Sequence, residues 1–322
     1  GASGYGSYST SSDVVGGVLG GGGVNRLEGK TVLVTGCNCG IGKETVLALC
    51  RLEPKVVVMA CRDTDKARAA AADVVAAVPG ARVKVMPLDL SMMASVRQFA
   101  AAFLQSEEGQ SLHLLINNAG VMMCPKTITE EGHELQFATN HLGHFLLTNL
   151  LLGRMKATAK RDNFEGRVVI VASAIHAAAS KGAIYWDDLA AAKSYSSVMR
   201  YAHSKIANVL HAHELSRRLE EEGAGVVAVS LHPGAIITEL GRHLEAKIPK
   251  ALDRVLRKVL SPLFKSIPQG AATTMYLATA DKIAKPGGYY ADCNVASQNP
   301  DSEDPAIAAR LWEVSEQLVK EA

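Results

Sequence analysis

The chain has 322 residues, and its 34 Lys and Arg residues against 32 Asp and Glu residues leave a formal net charge of +2. This length supports one large α/β domain with a buried core, and the balanced charge argues against a nucleic-acid-binding protein. Although 48% of the residues are hydrophobic, the apolar runs are short. The longest run, from Phe145 to Leu152, is interrupted by Thr148 and Asn149. It lacks the ~20 apolar residues of a membrane span and therefore predicts a buried helix.

The start of the chain differs in composition from the rest. Residues 1–26 are rich in Gly and Ser and hold few apolar side chains, which predicts a flexible tail. Residues 27–322 contain no internal repeat and no Pro/Gly-rich linker. We therefore expect a single domain over 27–322.

Short β-branched runs alternate with stretches of helical length from residue 27 onward. The first strand is predicted at Thr31–Thr35 and is followed by a helix over Gly40–Leu52. Further strands are predicted at Lys55–Ala60, Arg82–Pro87, Leu112–Ile116, Arg167–Val171, Gly225–Ser230 and Gly288–Ala291, with a helix over Asp63–Val78. Continuous apolar strands separated by helices indicate a parallel sheet covered on both faces. The predicted fold class is thus α/β, a single-domain Rossmann-type doubly wound parallel sheet that binds ligands at the carboxyl ends of its strands.

A glycine-rich loop follows the first strand and leads directly into the first helix. The sequence over 35–42 reads Thr-Gly-Cys-Asn-Cys-Gly-Ile-Gly. Gly36, Gly40 and Gly42 permit a tight turn and a close approach of the backbone to a pyrophosphate at the positive end of the helix. Because the glycines stand between a strand and a helix, they predict a dinucleotide-binding site.

The end of the second strand indicates which nicotinamide cofactor binds. NAD sites place an acid here for the ribose 2′-hydroxyl, whereas the 2′-phosphate of NADP needs a cation. Arg62 stands at this position and can pair with a phosphate, and Lys43 could add a second cation. Asp63 could pair with Arg62 or cap the next helix. The sequence favours NADP.

Tyr201 and Lys205 are separated by one helical turn and therefore share a helix face. A tyrosine hydroxyl has an ordinary pKa of about 10, so it is a poor acid at neutral pH. A nearby ammonium group favours the phenolate and is expected to lower this pKa toward the working range.

These features resemble the short-chain dehydrogenase/reductase family. The loop has the family spacing TGxxxGxG, and it is followed in order by Asn117–Gly120, Asn140, Ser173, the YxxxK pair and His232–Gly234. The resemblance covers nearly the whole chain from residue 30. It implies hydride transfer between a nicotinamide and a substrate carbonyl or alcohol. The implied catalytic residues are Asn140, Ser173, Tyr201 and Lys205.

The resemblance also assigns individual roles. Lys205 would bond the nicotinamide ribose, Ser173 would hold the substrate oxygen, and Asn140 would hold a water in a proton relay. Thr238 would contact the carboxamide, although it could instead cap a helix. The implied cofactor-binding residues are Gly36, Asn38, Gly40, Ile41, Gly42, Arg62, Asp89, Leu90, Asn118, Ala119, Gly120, Tyr201, Lys205, Pro233, Gly234 and Thr238.

The histidines and cysteines outside this set receive no catalytic role. His141 and His144 lack further ligands at a convincing spacing, so we expect structural roles and no metal site. His176, close to Ser173, could reach the mouth of the substrate site. The cysteines fall at no zinc-ligand spacing and indicate free thiols in a reducing compartment. A weaker hypothesis is that oxidation of Cys37 or Cys39 blocks NADP binding.

Several segments narrow the resemblance to the retinol dehydrogenase-like branch. They are 134–145, 204–210 and 288–293, while 1–5, 121–125 and 270–274 are similar to plant members. One such member belongs to the chloroplast inner envelope and is associated with the protein-import translocon. The resemblance implies NADPH binding and a chloroplast location, on the stromal side of the inner envelope, with a cytoplasmic location as the alternative. It also implies contact with calmodulin or the translocon.

The segment from Leu244 to Ile267 interleaves basic and apolar residues, as calmodulin targets and membrane-surface helices do. In the family this region is a lid over the substrate, here near 236–267, and its apolar residues suit an apolar substrate. We expect an NADP-dependent oxidoreductase that reduces an apolar aldehyde or ketone. The alternative is an NADPH-sensing regulatory subunit of a chloroplast envelope complex. Peripheral membrane contact and either a monomer or a homodimer are compatible with the sequence.

Overall fold

The computed structural model describes residues 1–20, 24–179, 184–236 and 264–321. Its centre is one sheet of eight strands in the order β3-β2-β1-β4-β5-β6-β7-β8. Strands β1 to β7 pair in parallel and β8 pairs antiparallel with β7. The strands are β1 Thr31–Thr35, β2 Val56–Cys61, β3 Val83–Pro87, β4 Leu114–Asn117, β5 Gly166–Val171, β6 Val226–Leu231, β7 Tyr289–Ala291 and β8 Asn294–Val295.

Helices cover both faces of the sheet. They are α1 Ser11–Gly20, α2 Gly40–Cys50, α3 Thr64–Ala77, α4 Met93–Gln105, α5 Leu135–Phe137, α6 Gly143–Asp162, α7 Ser197–Glu221, α8 Ile267–Thr279 and α9 Pro305–Glu321. One core layer holds α4, α6, α7 and α9 against the sheet, and the other holds α1, α2, α3 and α8. Successive β1 residues alternate between the layers, because Leu33 joins the first while Val32 and Val34 join the second.

The doubly wound parallel fold class is confirmed. The predicted strand positions agree with the structure to within about two residues, as expected for boundaries assigned from patterns. The short strand β8 follows a turn in which Asp292 and Cys293 have positive φ, and it was not predicted. The apolar run after Phe145 lies in α6 as a buried helix. Within the described ranges, no helix has the length and apolar composition of a membrane span.

The N-terminal segment corrects one prediction. Residues 1–26 were expected to form an unpacked tail, but Ser11–Gly20 is helical and packs against α8 and α2. Val14 and Val15 are buried, and the Ser11 hydroxyl donates to Glu44 at 2.6 Å. A few apolar residues on one helix face suffice here because α8 and α2 supply the remaining apolar surface.

The order of the strands fixes where a ligand can bind. The chain builds outward from β1 through β2 to β3 and then returns to place β4 on the other side of β1. In open parallel sheets this reversal leaves a crevice at the carboxyl ends of the strands. The crevice here lies beyond β1 and β4. Thr238 and nearly all of the expected lid (residues 237–263) lie outside the described residues.

Candidate active site

The glycine loop connects β1 to α2 under tight steric limits. Gly36 and Gly40 have φ of 64° and 53°, a region that favours glycine. A Cβ on Gly36 would lie 2.6 Å from the Cα of Ala119, and one on Gly42 would lie 2.4 Å from the Gly36 carbonyl oxygen. The glycines therefore allow close packing of backbone on backbone, and the first turn of α2 presents its amides beyond the sheet.

The segment after β4 is fastened to this loop. The Asn118 side chain donates to the carbonyl oxygens of Thr35 at 2.9 Å and Gly36 at 3.0 Å. The amides of Asn118 and Ala119 both donate to the Thr35 hydroxyl at 3.0 Å. The Asn118 side chain thus holds the glycine loop in place. Thr35, which the sequence did not single out, holds the two loops together.

The end of β2 carries the residue expected to choose the cofactor. Arg62 has 66% of its side chain exposed and lies 4.0 Å from an Asp89 carboxylate oxygen. Asp63 accepts the Lys66 amide and caps α3, which is one of its two expected roles. Lys43 pairs with Asp73 on α3 at 2.5 Å, so its charge is engaged away from Arg62. Arg62 is thus a cation at the end of β2 whose side chain is open to solvent.

Asp89 and its neighbour Leu90 follow β3. The Asp89 carboxylate accepts from the Ser91 amide at 2.9 Å and from the Ser91 hydroxyl at 2.6 Å. Leu90 is buried, and its carbonyl oxygen lies 2.2 Å from where a Cβ on Gly143 would stand. The loop is therefore fixed against the start of α6.

Tyr201 and Lys205 both lie on helix α7, as their i, i+4 spacing predicts. This part of α7 lies beside the end of β5. The Tyr201 side chain is buried and hydrogen-bonds with Ser173, which follows β5. The Lys205 ammonium donates to the Val171 carbonyl oxygen at 2.9 Å and lies 5.7 Å from the centre of the Tyr201 ring. The structure thus brings Ser173, Tyr201 and Lys205 together at one strand end.

The electrostatics of this group differ from the expectation. Burial raises the pKa of Tyr201 to about 12, and the hydrogen bond with Ser173 opposes this only in part. Burial also lowers the pKa of Lys205 to about 7. The expected lowering of the tyrosine pKa by Lys205 was wrong, because desolvation disfavours both the phenolate and the ammonium. Tyr201 is therefore a neutral hydroxyl group over the physiological range.

Asn140 lies in a π-helical turn, Ala138–Leu142, between α5 and α6. Such turns occur often at functional sites. Its side chain accepts from the Val121 amide at 2.8 Å and donates at 2.9 Å to the Val121 carbonyl oxygen and to the Ser204 hydroxyl. A Cβ on Gly120 would lie 3.2 Å from the Asn140 amide oxygen and 3.5 Å from the Lys205 ammonium nitrogen. Gly120 thus lies between the two side chains.

His144 has a structural role in this arrangement, in agreement with the interpretation of the sequence. One ring nitrogen lies 2.9 Å from the Thr35 hydroxyl and the other 3.0 Å from the Asn140 carbonyl oxygen. His144 thereby links the first strand to the π-helical turn. The available signal was its position one turn after Asn140, where it can reach that carbonyl group.

The remaining predicted residues lie around the same edge. Gly234 follows β6 with φ of 95°, and its amide donates to the His232 ring at 2.9 Å. Ile41 lies against α8, where a Cβ on Gly270 would be 3.4 Å from its side chain. Pro233 precedes Gly234 in the same loop, and Asn38 lies in the glycine loop.

His176 does not point to a substrate mouth as was considered. Its ring bonds the Ser173 carbonyl oxygen at 2.8 Å and accepts the Asn299 amide at 3.2 Å. His176 therefore fixes the loop after β5 to the C-terminal region.

Comparison with known proteins identifies close relatives of this chain. Residues 30–249 match the family model of short chain dehydrogenases. The chain is 41% identical to Short-chain dehydrogenase TIC 32 A, chloroplastic, of Brassica napus, over 99% of this chain and 96% of that protein. It is 43% identical to human Retinol dehydrogenase 13, over 91% of this chain and 85% of that protein.

Solved structures share the fold. A protein from Mycobacterium Paratuberculosis superposes with a TM-score of 0.71 at 33% identity, covering 92% of this chain and 95% of that one. The Pseudomonas aeruginosa RhlG/NADP active-site complex superposes with a TM-score of 0.62 at 22% identity, covering 82% of this chain and 95% of that one. At this lower identity the second likeness concerns the fold alone.

Proposed function

Because the chain belongs to the short-chain dehydrogenase family, in its retinol dehydrogenase-like branch, we propose that this oxidoreductase uses NADPH to reduce an apolar aldehyde or ketone. The observation that carries the proposal is the buried Tyr201 hydroxyl, hydrogen-bonded to Ser173 and close to Lys205 beside the glycine loop. The reverse reaction oxidises the corresponding alcohol at the same residues.

The residues present fit a dinucleotide. Gly36 and Gly42 leave no room for a side chain between the glycine loop and its neighbours, as a backbone cradle for a pyrophosphate requires. We propose that this loop and the amides of α2 hold the pyrophosphate, with Asp89 near the adenine. Lys205 would bond the nicotinamide ribose. When bound, the nicotinamide supplies the hydride for carbonyl reduction.

The protein residues supply the proton and the orientation. Ser173 holds the substrate oxygen, and the Tyr201 hydroxyl donates its proton to that oxygen as the carbonyl is reduced. A raised tyrosine pKa suits this direction, because the residue must be protonated before it can act as the acid. The positive charge of Lys205 then stabilises the tyrosinate that remains. Asn140 positions the Val121 backbone and holds the water that returns a proton.

Arg62 supports NADP over NAD. Its exposed guanidinium stands at the end of β2, where it can pair with a ribose 2′-phosphate. The matched test compares Arg62→Ala with Arg68→Ala, because Arg68 is an equally exposed arginine on α3 that pairs with Asp65. We expect Arg62→Ala to weaken NADPH binding and leave NADH binding unchanged, while Arg68→Ala changes neither. Equal losses for both cofactors in Arg62→Ala would contradict the assignment.

The proposed substrate class follows from the relatives. The names of several relatives specify retinol, an apolar alcohol, and the segment from Leu244 to Ile267 supplies many apolar residues. The similarity to the TIC 32 protein extends over nearly the full chain and supports a chloroplast location.

A second candidate function rests on that same similarity: an NADPH-sensing subunit that docks on an envelope complex.

The experiment measures NADPH oxidation by the wild type and by Tyr201→Phe with a panel of apolar aldehydes and ketones. Tyr290→Phe is the matched control, because Tyr290 is another buried tyrosine whose hydroxyl bonds the Lys285 backbone away from this site. We expect turnover in the wild type and the control and its loss in Tyr201→Phe, with NADPH bound by all three. Tight NADPH binding without turnover by the wild type would favour the sensing subunit instead.

A further inference from the structure

Two cysteines that are distant in sequence lie side by side at the glycine loop. Cys37 is the second residue of the loop, and Cys61 is the last residue of β2, directly before Arg62. Their sulfur atoms are 3.7 Å apart. Strands β1 and β2 fix this approach, because Thr35 pairs in register with Ala60 and the Gly36 amide donates to the Ala60 carbonyl oxygen at 2.9 Å.

The two thiols have different surroundings. Cys61 accepts the Cys37 amide at 3.3 Å, and its pKa is lowered by the Cys37 thiol and by the amides of Cys37, Asn38 and Gly36. Cys37 is fully buried, its sulfur lies 3.2 Å from the Val34 carbonyl oxygen and 3.7 Å from the Cys61 sulfur, so its single S–H hydrogen can bond either one, and burial raises its pKa. The thiolate is therefore favoured on Cys61, which has slight exposure of 3% and borders the exposed Arg62. A thiolate is the form that reacts with oxidants.

We propose that Cys61 and Cys37 form a peroxide-sensitive dithiol that closes into a disulfide and thereby prevents NADPH from binding. The Cys61 thiolate attacks one oxygen of a hydroperoxide, breaks the O–O bond and becomes a sulfenic acid. The other oxygen leaves as hydroxide or alkoxide and takes up the proton that the Cys61 thiol released on ionising, which gives water or an alcohol. The Cys37 sulfur then attacks the sulfenic sulfur and releases its oxygen as water, with the Cys37 proton. Two thiols and one hydroperoxide thus give one disulfide, one water and one further molecule of water or alcohol.

Closing the disulfide tightens the contact between the glycine loop and the end of β2. The sulfur atoms have to approach from 3.7 Å to a bond length of about 2.0 Å. The Cys37 Cα already lies 2.8 Å from where a Cβ on Gly42 would stand, so the loop has no slack at the start of α2. Motion of Cys37 therefore displaces the Gly36 and Gly42 backbone that the cofactor is proposed to use. This second step rests on the proposed function, whereas formation of the disulfide does not.

The first experiment locates the bond. The full chain is treated with hydrogen peroxide, remaining thiols are alkylated, and tryptic peptides are identified by mass spectrometry. We expect a linked pair of peptides 31–43 and 56–62 that is lost on reduction. Since peptide 31–43 also contains Cys39, the measurement is repeated in Cys39→Ser, where the link should persist. In Cys37→Ala the link should vanish and Cys61 should be oxidised further to the sulfinic acid.

The second experiment measures NADPH affinity of the reduced and oxidised chains by titration calorimetry. We expect oxidation to abolish NADPH binding and dithiothreitol to restore it. Cys37→Ala cannot form the disulfide, so its NADPH affinity should fall less than that of the wild type at the same peroxide level, and any loss caused by the Cys61 sulfinic acid should not be restored by dithiothreitol. Cys50→Ala is the control, because Cys50 is a buried thiol on α2 outside this pair, and it should respond as the wild type does.

The outcomes separate the two claims. A peroxide-treated wild type without the 37–61 link, or with Cys61 linked to Cys39 instead, overturns the dithiol. A linked chain that binds NADPH as tightly as the reduced chain overturns the effect on the cofactor. If the reduced chain fails to bind NADPH, the proposed function fails, while the peptide analysis still decides whether the dithiol exists.

Discussion

A single methyl group added at Gly42 tests whether the glycine loop is a cofactor cradle. In Gly42→Ala the new Cβ would lie 2.4 Å from the Gly36 carbonyl oxygen, 2.6 Å from the Asn118 amide nitrogen and 2.8 Å from the Cys37 Cα. Two of these atoms are backbone, and the Asn118 side chain is held by hydrogen bonds to Thr35 and Gly36. An ordinary carbon contact is about 3.5 Å, so the loop must shift by roughly 1 Å.

The cost follows from that shift. Overpacking of this kind costs about 1–3 kcal/mol, and alanine in place of glycine in a helix returns up to about 1 kcal/mol. We therefore expect a net loss of unfolding free energy of about 0–2 kcal/mol with the full return and about 1–3 kcal/mol with none. Each kcal/mol of lost stability lowers Tm by about 2–4 °C in domains of 150–250 residues. NADPH affinity should fall as well, because the displaced backbone is the proposed pyrophosphate site.

Gly153→Ala is the matched control. Gly153 is an exposed residue in the middle of α6, and a Cβ there would meet nothing within 4 Å. The same substitution should raise stability by about 0.5–1 kcal/mol and leave NADPH binding unchanged. Thermal unfolding and calorimetric titration of both variants measure these effects. A Gly42→Ala chain that unfolds no earlier than the wild type and binds NADPH equally well would contradict the assignment of this loop as the cofactor cradle.

Two further predictions concern stability. Val14→Ala should cost about 1.6 kcal/mol at ~0.8 kcal/mol per buried CH₂ group, because Val14 lies on the buried face of α1. Leu19→Ala on the exposed face of the same helix should cost little in urea unfolding. His211, buried between Phe145 and Trp312, has a pKa lowered to about 3 by burial. Its contribution is therefore present above pH 6.5 and lost as the pH falls toward 3. His211→Phe should unfold less readily in urea at pH 5, with a smaller gain at pH 7; equal gains at both pH values would contradict this.

Local patterns were sufficient to predict much of the fold and where several candidate-site residues lie in it. The glycine loop and the Tyr201/Lys205 pair depend on neighbours within a few residues, so their spacing already determines their geometry. In the same way, apolar runs that alternate with stretches of helical length predict the parallel sheet.

Contacts between distant segments could not be predicted. The links from Thr35 to Asn118 and His144, and from Cys37 to Cys61, depend on how loops of different strands meet in space. The N-terminal helix was missed because its glycine-rich sequence has low helix propensity and is stabilised by packing on α8 and α2. The prediction of a lowered pKa for Tyr201 was wrong because the sequence shows the nearby charge of Lys205 but not the degree of burial of the tyrosine.

The central claim is that Tyr201 donates the proton while a hydride passes to the substrate carbonyl. Its most direct test uses NADPH deuterated at the transferred position, together with an apolar aldehyde that the wild type reduces, and analyses the product by mass spectrometry. We expect an alcohol with one deuterium on the carbinol carbon from the wild type and none from Tyr201→Phe, although both bind NADPH. Deuterated alcohol formed at the wild-type rate by Tyr201→Phe would contradict it.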